Sequence, residues 1–256
     1  MIGYFHNIEY KFHYDIVKRT KRVGNWLTWR IIAKNEKLTV DYSDYLIGLN
    51  HRDNSMLKDI YGHNFDEIIP MFLPDTFKTS IGNSINYNLP MQFGLFVGSL
   101  FYANYYGIKW ISKNVCPFIN IPIIVIGKGF EKLKDEFKDV SNLIIIGEVA
   151  NLNPYYVKAD FVISPIFDGS GMKTKTAEAF MYGKWVIGTK ETFEGYEVMN
   201  GQTGDICNTK EEFISAIQRN KKNRYNPNIR QLYEQKYSEK VNSDKLVTII
   251  NRFIKK

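Results

Sequence analysis

Pro165-Ile166-Phe167-Asp168-Gly169-Ser170-Gly171-Met172-Lys173-Thr174-Lys175-Thr176-Ala177-Glu178-Ala179-Phe180 is the stretch on which the fold turns. An apolar run from Phe161 to Ile166 leads into it, and a helical segment from Thr174 to Tyr182 leaves it. A short continuous apolar run fits a strand buried on both faces. Glycines at 169 and 171 allow the backbone to approach a ligand closely. A helix start presents N–H groups and a partial positive charge, a setting made for phosphate. Lys173 and Lys175 add full positive charge there. Glu178 follows one to two turns later, where a carboxylate can accept from both hydroxyls of a ribose. A Gly-Ser-Gly turn by itself usually serves packing. The full succession of strand, glycine loop, basic helix start and carboxylate points instead to a nucleoside diphosphate.

The same alternation extends outward on both sides. Apolar runs at Phe93–Val97, Ile121–Ile126, Leu143–Ile146 and Trp185–Ile187 end in or just before glycines 98, 127, 147 and 188. Helical segments are expected at Tyr105–Asn114, Phe130–Phe137 and Lys210–Arg219. Strand and helix in repetition imply a parallel sheet with right-handed crossovers, an α/β Rossmann-like domain over about residues 91–225. Ligands of such sheets sit outside the carboxyl ends of the strands, where these glycines fall. Residues 1–75 read as a separate, smaller α/β part. It has a mostly helical stretch from Val17 to Leu38, a strand at Tyr45–Leu49, a helix capped by Asn50 and ended by Gly62, and a short strand at Ile68-Ile69-Pro70. Residues 76–90, rich in Asn, Ser and Gly, suit a linker. Residues 226–256 are expected to be helical and to pack back on the N-terminal part, with Leu246, Ile249, Ile250 and Phe253 at helical spacing.

Composition narrows the function classes. Hydrophobic residues at 44% and charged residues at 24% make a globular chain, not a disordered one. A net charge of +7 draws phosphorylated ligands, anionic lipid or nucleic acid. No zinc-finger, RNA-recognition or helix-turn-helix signature accompanies it, so no nucleic acid is expected. Cys116 and Cys207 are too few for a disulfide framework, which favours the cytoplasm. The first residues lack a basic start followed by an apolar run, and are not read as a signal peptide. The most apolar stretch, Ile119–Ile126, carries Asn120 and Pro122 and falls short of the roughly 20 residues of a membrane span. His6, His13, His51 and His63 match no ligand spacing, and no metal is expected. Gly127-Lys128-Gly129 with Glu148 faintly mimics a dinucleotide fingerprint, but Lys132 stands in place of its third glycine. Lys18-Arg19-Thr20-Lys21-Arg22, with Trp26 and Trp29 beyond, is a candidate contact with an anionic membrane. A solvated basic helix start is the simpler reading of that segment.

Residues 169–189, Gly-Ser-Gly-Met-Lys-Thr-Lys-Thr-Ala-Glu-Ala-Phe-Met-Tyr-Gly-Lys-Trp-Val-Ile-Gly-Thr, resemble the donor-site motif of the group 1 (family 4) glycosyltransferases of the two-domain GT-B type. Val97-Gly98-Ser99-Leu100 and Asn104 to Trp110 are similar to the usual opening of that domain, and Ile124 to Gly129, Gly147-Glu148-Val149 and Glu194-Gly195-Tyr196 stand where the family would have them. His6-Asn7-Ile8-Glu9 and Tyr45 to Tyr61 are similar to parts of its acceptor domain. The resemblance implies a C-terminal donor domain and a partial N-terminal acceptor domain. It implies that Glu178 holds the donor ribose and that Gly147 to Val149 lie near the base. The diphosphate would meet the backbone at Met172, Lys173 and Thr174, with Gly98, Ser99, Lys128, Ser170, Gly171 and Lys175 around it. His6 would be the catalytic-side group facing the reacting sugar.

The implied chemistry is sugar transfer with retention and without a metal or other cofactor. The donor would be a nucleotide-sugar and the acceptor a glycan or lipid-linked glycan, in surface polysaccharide assembly at the inner face of the membrane. Three departures stand out. Ser170 occupies a position where many members have Glu, and Ser99 one where many have Arg, so Lys173 or Lys175 is expected to supply that charge. The third is an acceptor domain short by about 90 to 100 residues, judged from usual domain size. That raises a second reading, a donor-binding subunit that is inactive alone or is completed by a partner chain or a second copy.

Overall fold

The computed structural model describes residues 1–78, 89–197, 202–220 and 224–254. By its internal contacts the chain divides into two units. The smaller gathers Met1–Met71 with Gly169–Met172 and Glu194–Tyr196, and the larger holds the rest. Of the expected linker, residues 79–88 lie outside the described residues.

In the smaller unit the order is β1 (Ile2–Tyr4), α1 (Glu9–Thr20), α2 (Val23–Tyr42), β2 (Tyr45–Gly48), α3 (His51–Tyr61) and β3 (Glu67–Ile68). The strands form a parallel sheet in the order β1-β2-β3. Phe5, Ile8, Val40, Leu46, Leu57 and Phe65 are its buried core. The cap reading of α3 holds: the Asn50 side chain accepts from the Asp53 N–H at 2.8 Å, and Gly62 closes the helix at φ 76°.

The stretch Val17–Leu38, expected to be mostly helical, is helical apart from a break at Lys21 and Arg22 that divides it into α1 and α2. Lys21 ends α1 in the left-handed conformation (φ 52°), its N–H returning to the Val17 carbonyl, and Arg22 is extended. Glycine usually takes that position, so no local residue advertises the break. The start of α1 at Glu9 is equally invisible locally. Its first N–H groups, on Glu9 and Tyr10, donate to the Glu36 carboxylate of α2 at 2.7 and 3.0 Å, and Tyr61 Oη donates to the same group at 2.7 Å. A buried carboxylate thus caps a helix that begins 27 residues upstream of it. Burial is the largest influence on Glu36 and raises its pKa; the hydrogen bonds oppose that.

The larger unit runs β4 (Gly94–Val97), α4 (Tyr102–Asn114), β5 (Ile123–Ile126), β6 (Leu143–Gly147), α5 (Asn153–Lys158), β7 (Phe161–Ser164), α6 (Thr174–Met181), β8 (Val186–Gly188), β9 (Gly204–Ile206), α7 (Lys210–Asn220), α8 (Pro227–Leu232) and α9 (Glu239–Ile254). All six strands are parallel, in the order β6-β5-β4-β7-β8-β9. Renumbered within this sheet, that is the doubly wound order 3-2-1-4-5-6, which reverses direction between β4 and β7. Every residue of β4 and β5 is buried, as their unbroken apolar sequences require. Gly107 of α4 lets that helix ride close over the switch point: a Cβ there would lie 2.3 Å from the Pro165 carbonyl oxygen.

Five of these strands match runs read from the sequence. The sixth, β9, has one strong apolar residue in three and escaped the reading. Phe130–Phe137, expected as a helix, is a 3-10 turn over Phe130–Leu133 followed by further turns. Gly129 opens it at φ 93°, and its N–H donates to the Glu131 carboxylate at 2.8 Å, which holds a tight turn in place of a helical start. Helices α8 and α9 belong to the larger unit, where Tyr233 Oη donates to the Leu73 carbonyl at 2.7 Å. Lys184 is buried. Its Nζ donates to the carbonyls of Val157 (3.1 Å), Ala159 (2.7 Å) and Arg224, tying down the end of α5.

Candidate functional site

The carboxyl ends of β4, β5 and β6 are laced together through their glycines. Gly98 N–H donates to the Ile126 carbonyl at 2.9 Å, Leu100 N–H to the Lys128 carbonyl at 2.8 Å, and Gly127 N–H to the Gly147 carbonyl at 2.8 Å. Gly98 and Gly147 are buried, and Ser99 and Lys128 are exposed just beyond them. Gly147 takes φ 96°, which turns the chain out of β6 toward Glu148 and Val149. The four strand-end positions singled out from sequence (98, 99, 128 and 147) therefore share one edge of the sheet.

Beside that edge the larger unit forms an open cavity of about 700 Å3. Its walls are the loop 149–154 after β6, Glu178 and Tyr182 of the α6 region, and Asp75, Thr76 and Lys78. Val149 and Glu178, assigned from sequence to the base and the ribose, thus face one space. Glu178 is largely buried, at 18% side-chain exposure. Its Oε2 accepts from Tyr156 Oη at 2.9 Å and from Lys175 Nζ at 2.6 Å. Burial first, then the Glu178 charge, push the Tyr156 phenol well above its usual 10.0.

Helix α6 begins at Thr174, which is exposed, with Lys173 at the cap position in an extended conformation. No side chain caps it, and its first turn contains no acidic residue. The first N–H groups of a helix lack the usual partner one turn back; here the Thr176 N–H closes on the Lys173 carbonyl at 2.9 Å. The two lysines both hold carboxylates. Lys173 Nζ lies 2.6 Å from Glu191 Oε1, and Lys175 Nζ lies on Glu178.

The other assigned residues fall in the smaller unit. Asn7 Nδ2 donates to Ser170 Oγ at 3.2 Å, and a Cβ on Gly171 (φ 60°) would lie 2.7 Å from the His6 carbonyl oxygen. Met172 is buried, its Sδ accepting from the Met71 N–H at 3.3 Å. The His6 imidazole is 71% exposed, with Nε2 3.3 Å from Glu9 Oε1; His13 Nε2 meets the other oxygen of Glu9.

Sequence reasoning missed Tyr156, Tyr182, Asp75, Thr76 and Lys78. Pro154 near the start of α5 was a usable signal, since proline favours the first helical turn, and it would have placed a helix behind the 149–152 loop. Among the described residues no group of three or more His, Cys, Asp or Glu could hold a metal ion. No helix among them is long and apolar enough to cross a membrane.

A family profile described as glycosyl transferases group 1 matches residues 93–223. A protein of Klebsiella pneumoniae, described as an uncharacterized 44.6 kDa protein in the cps region, is 24% identical over 229 residues. The match spans 72% of the present chain and 59% of that relative, less than two thirds of its length. Among solved structures, sucrose-phosphate synthase from Thermosynechococcus elongatus superposes with a TM-score of 0.79 at 15% identity, covering 99% of this chain and 67% of that one. WaaG, described as a glycosyltransferase involved in lipopolysaccharide biosynthesis, gives 0.68 at 18% identity, covering 97% and 74%. HepE of Anabaena, solved in complex with UDP-glucose, gives 0.65 at 14%, covering 98% and 72%. At these identities the likeness to the solved structures is one of fold.

Proposed function

The chain belongs to the group 1 glycosyl transferases, and from that premise we propose that its larger unit binds a nucleotide-sugar whose sugar the protein passes to a glycan or lipid-linked acceptor. The observation that carries this reading is the shared cavity of Val149 and Glu178, with the uncapped start of α6 one turn before Glu178. In it the base lies against the loop after Gly147, the ribose hydroxyls on Glu178, and the diphosphate on the backbone of Met172, Lys173 and Thr174. Gly98, Ser99 and Lys128 are its remaining neighbours in that unit, and Ser170 and Gly171 are assigned to it on the sequence resemblance alone. Transfer proceeds with retention and without a metal. The charge growing on the leaving diphosphate is stabilised by fixed N–H dipoles and by Lys173 and Lys175, once either lysine shares its carboxylate partner. His6 is the proposed group toward the reacting sugar, on its sequence resemblance alone. The cps region of the Klebsiella relative and the lipopolysaccharide role in the description of WaaG support an acceptor in surface polysaccharide assembly.

Calorimetric titration with UDP-, GDP- and ADP-glucose, followed by an assay for transfer or hydrolysis, tests this. Tight binding of one of them is expected. Failure to bind any nucleoside diphosphate or its sugar would sink the proposal. One observation favours a second reading: the matched region spans only 59% of its Klebsiella relative. Binding without turnover would assign the chain the role of a donor-binding subunit, completed by a partner chain or a second copy.

We place the work at the inner face of the membrane. Between Ile16 and Asn35 there are six basic residues and no acidic one. Val23, Trp26, Leu27 and Ile31 of the same hairpin are exposed. Basic side chains with apolar neighbours suit an anionic interface. Co-sedimentation with phosphatidylglycerol vesicles but not with phosphatidylcholine vesicles is expected; equal recovery with both refutes the placement.

A further inference from the structure

Glu178 is held in an asymmetric way. Among the described residues, both of its side-chain hydrogen bonds, from Tyr156 and Lys175, fall on Oε2. A carboxylate oxygen has two lone-pair directions, so two donors fill Oε2 and leave the acceptor capacity of Oε1 for a ligand. The two donors differ. Lys175 is 40% exposed on a flexible stem, whereas Tyr156 is fully buried. The Tyr156 ring stacks on Tyr182, with centroids 4.5 Å apart and planes 9° apart, and Tyr182 itself lines the cavity. The backbone of α5 is clamped in turn by Lys184, which bonds the carbonyls of Val157 and Ala159 at its C-terminal end. The hydroxyl at 156 is therefore a fixed point, and the carboxylate is referred to it.

We propose that Tyr156 is a positioning residue: its buried hydroxyl fixes Oε2 of Glu178 so that Oε1 is presented to the vicinal hydroxyls of the donor ribose. The assignment rests on the reading of Glu178 as the ribose group. Tyr156 touches no substrate and acts only through the carboxylate. Its phenol stays protonated across the working pH range, since burial pushes its pKa up, and so it remains a donor.

The test is the ratio of dissociation constants for a ribonucleoside diphosphate and its 2′,3′-dideoxy analogue, using the base that binds best among UDP, GDP and ADP. Tyr156→Phe keeps the ring and the stack and removes only the donor. The full chain with this change should lose about tenfold in affinity for the ribonucleotide, the scale of one hydrogen bond to a charged group. The dideoxy analogue should bind as before, so the ratio contracts. Inorganic pyrophosphate should compete equally well in both proteins, which a general loosening of the site would not allow. An unchanged ratio in Tyr156→Phe, with Glu178→Gln collapsing it, overturns the positioning role and leaves the ribose reading intact. A wild-type protein that already binds both nucleotides equally overturns the ribose reading, and the positioning role with it. If Tyr156→Phe does not fold, replacing Tyr156 by 3-fluorotyrosine alters the acidity of the hydroxyl but not the packing. A ratio that does not move with that replacement also overturns the proposal.

Discussion

Two helices of the same unit start in opposite ways. At α7 the chain seals its own end. The Glu212 carboxylate accepts from the N–H groups of Asn208 and Thr209 at 2.6 and 3.0 Å, and Thr209 Oγ1 accepts from the Glu212 N–H at 3.3 Å. That is a reciprocal capping box, and Glu211 adds a second acid to the first turn. At α6 there is no capping side chain and no first-turn acid, and a lysine stands at the cap position. A positive residue at a helix start opposes the dipole, so this end is locally unfavourable. The start of α2 resembles that of α6, with Arg22 at the cap position and neither a capping side chain nor a first-turn acid; what sets α6 apart is the proposal that a diphosphate rests on its first turn.

The largest effect expected from breaking this contrast is on the ligand side. Glu178→Gln keeps an acceptor for Tyr156 but gives up the charge, and should weaken nucleoside diphosphate binding by about a hundredfold, two charge-assisted hydrogen bonds at roughly 1.5 kcal/mol each. Isothermal titration measures it. Next comes converting the α6 start to the α7 kind: Lys173→Asp supplies a capping acid and should reduce pyrophosphate affinity by about tenfold, from lost and reversed charge. An affinity unchanged by that substitution would mean that the diphosphate does not rest on this helix end. Thr209→Ala unseals α7 and should cost about 1 kcal/mol, read in denaturant melts, with nucleotide affinity untouched.

The smallest effect is one of pH. Backbone N–H groups, those of Asn208 and Thr209 first, hold the Glu212 pKa below its usual 4.5. A depressed carboxylate contributes stability that is present above pH 4.5 and is lost as pH falls through its folded value. Amide exchange at the first turn of α7 should therefore quicken on acidification below about pH 4.5, with no matching change at the first turn of α6 from its own side chains, which include no acid.

What could be read directly from sequence was contiguous. Phe161 to Phe180 presents strand, glycine turn and helix in one breath, so the position of Glu178 one turn into that helix was within reach. The five apolar strands were legible because a strand buried on both faces leaves no room for polar residues. What was lost was non-local. Tyr156 meets Glu178 across 22 residues, and Glu36 caps α1 across 27; neither partnership leaves a local pattern. The break at Lys21 was hidden for another reason: a lysine adopts a backbone state that glycine normally signals. Lys173 and Lys175 were correctly seen as basic, yet their carboxylate partners change what that charge is free to do. Glu191 was not legible as the partner of Lys173, because it reaches back from the turn after β8.

Lys184 carries a consequence for how the protein responds to its medium. Burial draws its pKa from 10.5 down to about 7, against the pull of Asp160 in the other direction. Near neutrality, then, folded molecules differ by a single proton at the latch that closes α5, the helix from which the Tyr156 hydroxyl hangs. The unfolded chain keeps that proton until pH 10.5, so between about 7 and 10.5 alkali favours the folded form. Acidification restores the ammonium at the cost of burying a full charge. Through its bonds to Val157 and Ala159, that titrating group is tied to the same helix that carries Tyr156.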